Sequence, residues 1–108
     1  MDLDVRWAEN NKQMNVILGG DLDATSSKEL KRTLEPAIDA GKPTSVVVDC
    51  AGLNYIDSTG LGVLVSAMKK VREHSGSIRI INLKPYLQKI FRVTGLTGIF
   101  EIEESANG

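Results

Sequence analysis

The sequence predicts an α/β fold in which helices pack against a small mixed β-sheet. The run Val46-Val47-Val48 is apolar and β-branched, and it lies between Pro43 and Gly52. Such a run is typical of a parallel strand that is covered on both faces. The segment after it repeats apolar residues at helical spacing, and the chain opens with the alternating pattern of a β-hairpin.

Two strands are predicted at the start of the chain. Apolar and polar residues alternate from Leu3 to Trp7, and the alternation resumes from Met14 to Leu18 after a polar loop. The second strand is expected to end at Gly19-Gly20. Because successive side chains of a strand point to opposite faces, each strand should bury one face only.

A first helix is predicted next, because Ser26 and Glu29 have the spacing of a capping box. Pro36 falls inside the helical pattern, where it removes one backbone hydrogen bond and clashes with the preceding turn. The helix is therefore expected to kink or to end early near Glu35. Gly41 is the expected C-terminal cap.

Helices and strands alternate beyond the central strand. Leu61–Val71 predicts a second helix with one apolar face, and Ile78–Ile81 predicts a further parallel strand. Pro85 fits the first position of a third helix that ends at Gly95. An edge strand is expected within Ile99–Ile102.

Length and composition indicate one domain that spans residues 1-108. Residues 103-108 have no apolar period and are expected to fray. The net charge of -1 favours neither a nucleic-acid partner nor an anionic membrane. One cysteine, no export signal and no run of membrane-spanning length indicate a soluble protein of the reducing cytoplasm.

Few side chains suggest catalysis. His74 lies at the polar end of a helix and is interpreted as a surface histidine. Cys50 follows three valines and is interpreted as a small core residue, not a reactive thiol. Turn and capping roles explain the aspartates near strand ends better than a magnesium site does: Asp21, Asp23, Asp49 and Asp57. We therefore predict that the protein is not an enzyme and holds no metal and no cofactor.

The start of the second helix is the predicted functional site. Asp57 and Ser58 are both preferred N-cap residues, and the sequence leaves open which of them caps the helix. Helix N-termini at the carboxyl ends of parallel strands are common sites in α/β folds. Gly60 and Gly62 each cost up to about 1 kcal/mol relative to alanine, which indicates close approach of a partner backbone.

Three motifs resemble those of the anti-sigma factor antagonists, which are single-domain members of the STAS family. The specific motif is Tyr55-Ile56-Asp57-Ser58-Thr59-Gly60-Leu61-Gly62. Gly19-Gly20-Asp21-Leu22-Asp23 and Val93-Thr94-Gly95-Leu96 agree with the family in order and spacing. Pro36 departs from its usual pattern, as does the lack of a further amphipathic helix before Gly108.

The resemblance implies a partner switch. The unmodified protein would bind an anti-sigma factor that is also a serine kinase and so release a sigma factor for transcription. Phosphorylation of Ser58 would end that binding, and a metal-dependent serine/threonine phosphatase would restore it. The implied partner-binding residues are Asp21, Asp23, Asp57, Ser58, Thr59, Gly60, Leu61 and Gly62.

The sequence leaves two other functions open. A STAS subunit can assist a membrane transporter or a signalling scaffold without being phosphorylated. A hydrolase that uses Ser58 would need a general base close to that residue.

Overall fold

A five-stranded mixed sheet organises the protein in a computed structural model that describes residues 1–104. The strands are β1 Asp2–Ala8, β2 Gln13–Leu22, β3 Ser45–Ile56, β4 Ser77–Leu83 and β5 Glu101–Glu104. The helices are α1 Ala24–Gly41, α2 Ser58–Glu73 and α3 Pro85–Val93, and a short 3-10 turn follows at Leu96–Gly98.

The strands lie in sequence order, β1-β2-β3-β4-β5. β1 pairs antiparallel with β2, and every other pairing is parallel. Each parallel connection passes through one helix and advances by one strand, so right-handed crossovers place α1, α2 and α3 on the same face. The predicted α/β class with a small mixed sheet is confirmed.

The core lies between this face of the sheet and the helices. Met14, Val16 and Leu18 alternate along β2 and are fully buried, and the same periodicity brings apolar residues of β3 and β4 to the same side. One continuous cluster joins them to the buried helix residues, which include Leu30, Leu34, Leu64, Leu87 and Phe91.

All three valines of β3 are buried, as predicted for a central parallel strand, but only one face of the strand packs on the helices. Val46 and Val48 belong to the core cluster, whereas Val47 does not. Its cross-strand neighbours are Asn15 and Arg79, which lie on the face away from the helices. Val47 is nevertheless buried, because the flanking strands cover it.

The predicted hairpin is confirmed, but β2 continues beyond Gly19-Gly20 to Leu22. Irregularities in the pairing with β3 occur on both sides of Gly19 and Gly20. Gly20 has φ +81°, a conformation that glycine adopts without steric cost. The pairing of β2 with β3 therefore continues past these irregular positions to Leu22, just before α1.

The predicted cap of α1 is wrong. Asp23, not Ser26, is the N-cap, and its side chain accepts hydrogen bonds from the backbone N–H groups of Thr25 and Ser26. The Ser26 hydroxyl in turn accepts a hydrogen bond from the Asp23 N–H, which completes a capping box three residues earlier than expected. Glu29 takes no part in it.

The predicted early end of α1 is also wrong, because the helix continues through Pro36 to Gly41. Pro36 is exposed, so the carbonyl of Arg32 that it leaves without a helical donor faces water. Gly41 is the last helical residue and Lys42 is the C-cap: Lys42 has φ 44° and its N–H donates to the carbonyl of Ile38.

The C-terminal elements follow the predicted order with shifted bounds. Pro85 occupies the first position of α3, and Gly95 adopts a left-handed conformation just after it. Phe100 precedes the edge strand and packs edge-to-face on Phe91 with ring centroids 6.1 Å apart. The predicted fraying starts too early, because residues 103 and 104 belong to β5, and residues 105–108 lie outside the described part of the chain.

Replacing Pro36 with alanine should stabilise the fold, because alanine restores the N–H of an exposed helix interior. We expect the free energy of unfolding to rise by about 1–2 kcal/mol, since the more flexible unfolded chain offsets part of the gain. Urea melts will measure the change. Pro43→Ala is the comparison: Pro43 is buried and lies outside the helix, so its replacement should give no such gain, and equal stabilisation by the two changes would contradict the explanation.

Candidate functional site

Two helices begin side by side at one edge of the sheet. Leu22 and Ile56 are register partners at the ends of β2 and β3, and each is followed by an aspartate and a helix. The Asp57 N–H donates to the carbonyl of Leu22 at 3.2 Å, which ties the two strand ends together. Asp23 and Asp57 therefore cap neighbouring helices that start at the same level.

Asp57 is the N-cap of α2, which settles the choice that the sequence left open. Its Oδ1 accepts hydrogen bonds from the N–H groups of Thr59 and Gly60 at 3.0 and 3.1 Å, and from the Thr59 hydroxyl. These bonds hold the pKa of the Asp57 carboxyl below its usual value, with the Thr59 hydroxyl as the largest cause. The carboxylate therefore stays ionised and caps the start of the helix.

Ser58 is the first residue of α2 and is exposed. Within the described residues its hydroxyl has no hydrogen-bond partner, whereas the hydroxyl of neighbouring Thr59 donates to Asp57. Of two adjacent hydroxyl groups, only that of Ser58 is both exposed and not engaged by the fold.

Asp23 repeats the same arrangement at α1. Its pKa is lowered, chiefly by the backbone hydrogen bond from Ser26, and its negative charge in turn opposes the lowering of the Asp57 pKa. The Ser26 hydroxyl also donates to the carbonyl of Asp21 at 2.8 Å. The structure thus brings Asp21, Asp23 and Asp57 to one edge of the sheet.

Gly60 and Gly62 have different surroundings. A Cβ atom at Gly60 would lie 2.7 Å from Cγ and 2.9 Å from the carbonyl oxygen of Leu22, so the fold itself requires glycine there. A Cβ atom at Gly62 would meet nothing within 4 Å. Leu61 is only 6% exposed and belongs to the core. The predicted contact of Gly60 and Leu61 with a partner would involve their backbone atoms, and it stays a prediction.

The other candidate residues lie away from this site. Cys50 is fully buried, as predicted, and burial raises the pKa of its thiol to about 12. His74 caps the far end of α2, about 24 Å from Ser58 by helix length, with Nε2 2.7 Å from the carbonyl oxygen of Pro43. Within residues 1–104, no group of three His, Cys, Asp or Glu side chains could hold a metal ion. None of the described helices combines the length and apolarity that crossing a bilayer requires.

Two exposed tyrosines flank the site: Tyr55 begins the family motif, and Tyr86 is a residue that the sequence did not connect with it. Tyr55 and Tyr86 are 49% and 54% exposed. The Tyr86 hydroxyl donates to the carbonyl of Asn54 at 2.7 Å, and Lys84 Nζ donates to the Asn54 side chain at 2.6 Å. Tyr86 is far from the motif in sequence, so only the packing of α3 beside β3 reveals its position.

The STAS domain family model matches residues 6–107. This chain belongs to the STAS family. An anti-sigma-B factor antagonist of Bacillus subtilis (strain 168) is 33% identical over 108 residues, which cover 100% of this chain and 95% of the relative. Its counterpart from Staphylococcus aureus (strain NCTC 8325 / PS 47) is 28% identical over 104 residues, or 96% of this chain and 95% of the relative.

A solved structure of the Bacillus cell fate determinant SpoIIAA in its phosphorylated form has the same fold as this STAS domain. The TM-score is 0.77 with 21% sequence identity, and the match covers 98% of this chain and 94% of SpoIIAA. The family resemblance carried by the motif at Tyr55–Gly62 is therefore confirmed, and the likeness to SpoIIAA establishes the fold.

Loss of the Asp57 cap should destabilise the domain in a pH-dependent way. We expect Asp57→Ala to lower the melting temperature by about 3–8 °C at pH 7. Because the folded-state pKa is lower than the ordinary 3.8, this stabilisation is complete above the ordinary value and is lost as the pH falls through the folded value. Thermal melts from pH 7 to pH 2 should therefore show the two proteins converging in acid. Ser58→Ala is the control and should melt like the wild type; a larger effect of Ser58→Ala than of Asp57→Ala would contradict the assignment of the cap.

Alanine at the two glycines of α2 should have opposite effects. Gly60→Ala forces a contact with Leu22 and should cost about 1–3 kcal/mol of unfolding free energy. Gly62→Ala meets open space and should gain about 0.5–1 kcal/mol through helix propensity. Chemical denaturation of both variants gives the comparison, and a stabilising Gly60→Ala would show that the close contact is not a constraint.

Proposed function

We propose that this STAS domain is an anti-sigma factor antagonist of the bacterial cytoplasm, where transcription takes place. In its unphosphorylated form it binds an anti-sigma factor that is also a serine kinase, and a sigma factor is thereby released. Phosphorylation of Ser58 ends the binding. The observation that carries the proposal is the exposed, unengaged hydroxyl of Ser58 at the start of α2.

The relatives support this class of function. The Bacillus subtilis and Staphylococcus aureus proteins are anti-sigma-B factor antagonists, and each aligns with nearly the whole of this chain. A shared function of this kind requires a protein-binding surface, not a catalytic centre. The edge that carries Asp23, Asp57 and Ser58 supplies such a surface.

Ser58 is a better acceptor than Thr59 for two reasons. Its primary hydroxyl is less hindered than that of a β-branched residue. The Thr59 hydroxyl also donates to Asp57, and a kinase would have to break that bond before transfer. Phosphorylation of Ser58 leaves the cap intact.

The fold should tolerate a phosphate at Ser58. The group adds about -1.5 to -2 charge at a helix N-terminus, where the helix dipole favours negative charge by about 0.3 to 1 kcal/mol. The carboxylate of Asp57 already accepts from the first free N–H groups and offsets part of this gain. The exposed position needs no rearrangement of the core.

A docked partner should not tolerate the same phosphate. At an interface the phosphate must lose its hydration, which costs several kcal/mol unless the partner pairs with it. Each 1.4 kcal/mol corresponds to about a tenfold change in affinity. Binding should therefore fail while the fold persists. Because a phosphate at Ser58 would remain exposed in the free protein, a metal-dependent serine/threonine phosphatase could remove it and restore the binding form.

Incubation with the purified cognate kinase and ATP should place one phosphate on Ser58, and peptide mapping will identify the residue. Ser58→Ala should remain unmodified although Thr59 is intact. Ser58→Asp should weaken kinase binding at least about tenfold with an almost unchanged melting curve, because charge and bulk act at the interface only.

Three outcomes would contradict the proposal. Phosphate on Thr59 of the wild type would overturn the choice of acceptor, and unfolding of Ser58→Asp would overturn the argument that the fold tolerates charge there. If the kinase neither binds nor modifies the protein, the unphosphorylated accessory subunit of a transporter or scaffold becomes the better function.

A further inference from the structure

A groove beside Ser58 separates the first halves of α1 and α2. It has a volume of about 420 Å³, and we call it the α1–α2 groove. Its walls include Ser27, Lys28 and Lys31 from α1 and Thr59, Gly62 and Ser66 from α2.

In the described part of the chain, polar side chains link the two helices beyond the groove. Ser66 Oγ donates to Glu35 Oε1 at 3.4 Å, and one turn later Lys70 Nζ lies 3.1 Å from both carboxylate oxygens of Asp39. The groove opens on the other side of Ser66, toward the helix starts. Within the described residues, polar side chains thus bridge the later part of the seam between the helices and leave its first part open.

Gly62 keeps this opening clear. It lies four residues after Ser58 on the same helix face, and a Cβ atom there would meet nothing within 4 Å. Glycine is the least favourable residue in a helix interior apart from proline, and here the fold gives no reason for it. A surface that is kept free of side chains allows another chain to approach closely.

The groove is mostly apolar, and its two charged wall residues are lysines, although the edge of the sheet next to it is acidic. Lys28 is exposed and forms no ion pair with any described residue. Lys31 lies 3.7 Å from Glu35 and its side chain is 60% exposed, so its charge is only weakly compensated. The two lysines are one helical turn apart and both line the groove.

We propose that the α1–α2 groove receives an acidic segment of the anti-sigma factor kinase, whose carboxylates pair with Lys28 and Lys31. This inference rests on the proposed function and names the chemistry of the partner at the same site. Gly62 then makes room for the backbone of that segment. Ser58 precedes Thr59 at the groove mouth, so a phosphate on it repels the acidic segment and competes with it for the two lysines.

Reversing the charge of the two groove lysines tests whether the partner's segment is acidic. The double variant Lys28→Glu/Lys31→Glu is compared with Lys69→Glu/Lys89→Glu, which makes the same change in net charge at two exposed lysines outside the groove. Affinity for the purified cognate kinase is measured by titration calorimetry at two salt concentrations. The groove variant should bind at least about tenfold more weakly and the control within about twofold of wild type. A higher salt concentration should reduce the difference in affinity between the groove variant and the control.

Gly62→Leu tests the close approach independently of charge. The position is open, so the variant should fold and melt no lower than the wild type. Its affinity for the kinase should nevertheless fall at least about tenfold, because the leucine side chain occupies the space that the segment needs.

Wild type and Ser58→Asp are titrated in parallel. If Ser58→Asp loses binding but both groove variants bind like the control, the groove proposal is overturned and the Ser58 switch stands. Tighter binding of the charge-reversed variant would show that the segment is basic and would also overturn the groove proposal. If the wild type binds no kinase, the proposed function and the groove proposal fail together.

Discussion

The hydrogen bonds from the start of α2 to the Asp57 carboxylate determine the geometry of the candidate site. They fix the direction in which α2 leaves the end of β3, and the bond from the Asp57 N–H to Leu22 anchors that point to the neighbouring strand. Gly60 lets the first turn pack directly on Leu22, where any side chain would clash. As a result, the helix start is rigidly placed, and Ser58 is presented to solvent without contributing to the cap.

The same strand, aspartate and helix arrangement occurs twice at this edge, but the two copies present different residues after the cap. Asp23 and Asp57 cap their helices in the same way, through the N–H groups two and three residues later. The first helical residue is Ala24 in α1 but Ser58 in α2. The Ser26 hydroxyl of α1 is nearly buried and hydrogen-bonded within the capping box. An exposed serine hydroxyl directly after the cap is therefore found at the start of α2, whereas α1 has Ala24 there and the exposed, β-branched Thr25 one residue later.

Local patterns in the sequence predicted most elements but not the contacts between them. The hairpin, β4 and α3 follow from periodicity and from Pro85, because each of these signals lies within one element. The cap of α1 was misplaced because Ser26 also fits a capping box, and only the pairing of β2 with β3 shows that the strand continues to Leu22. An apolar run likewise cannot reveal whether one or two faces are covered, since strand neighbours can bury a side chain such as Val47. The glycines of α2 look alike in sequence, and only the position of Leu22 separates them.

This difference between the glycines reflects a division of roles along α2. Asp57, Gly60 and Leu61 are used by the fold as cap, close contact and core residue. Ser58 and Gly62 lie on the other side of the same turns and carry no comparable structural role. Because helix periodicity separates the two sets, a change of charge at Ser58 would reach a docked partner without altering the packing of the domain. The proposed switch could therefore be reset repeatedly, since neither of its states would require the protein to unfold.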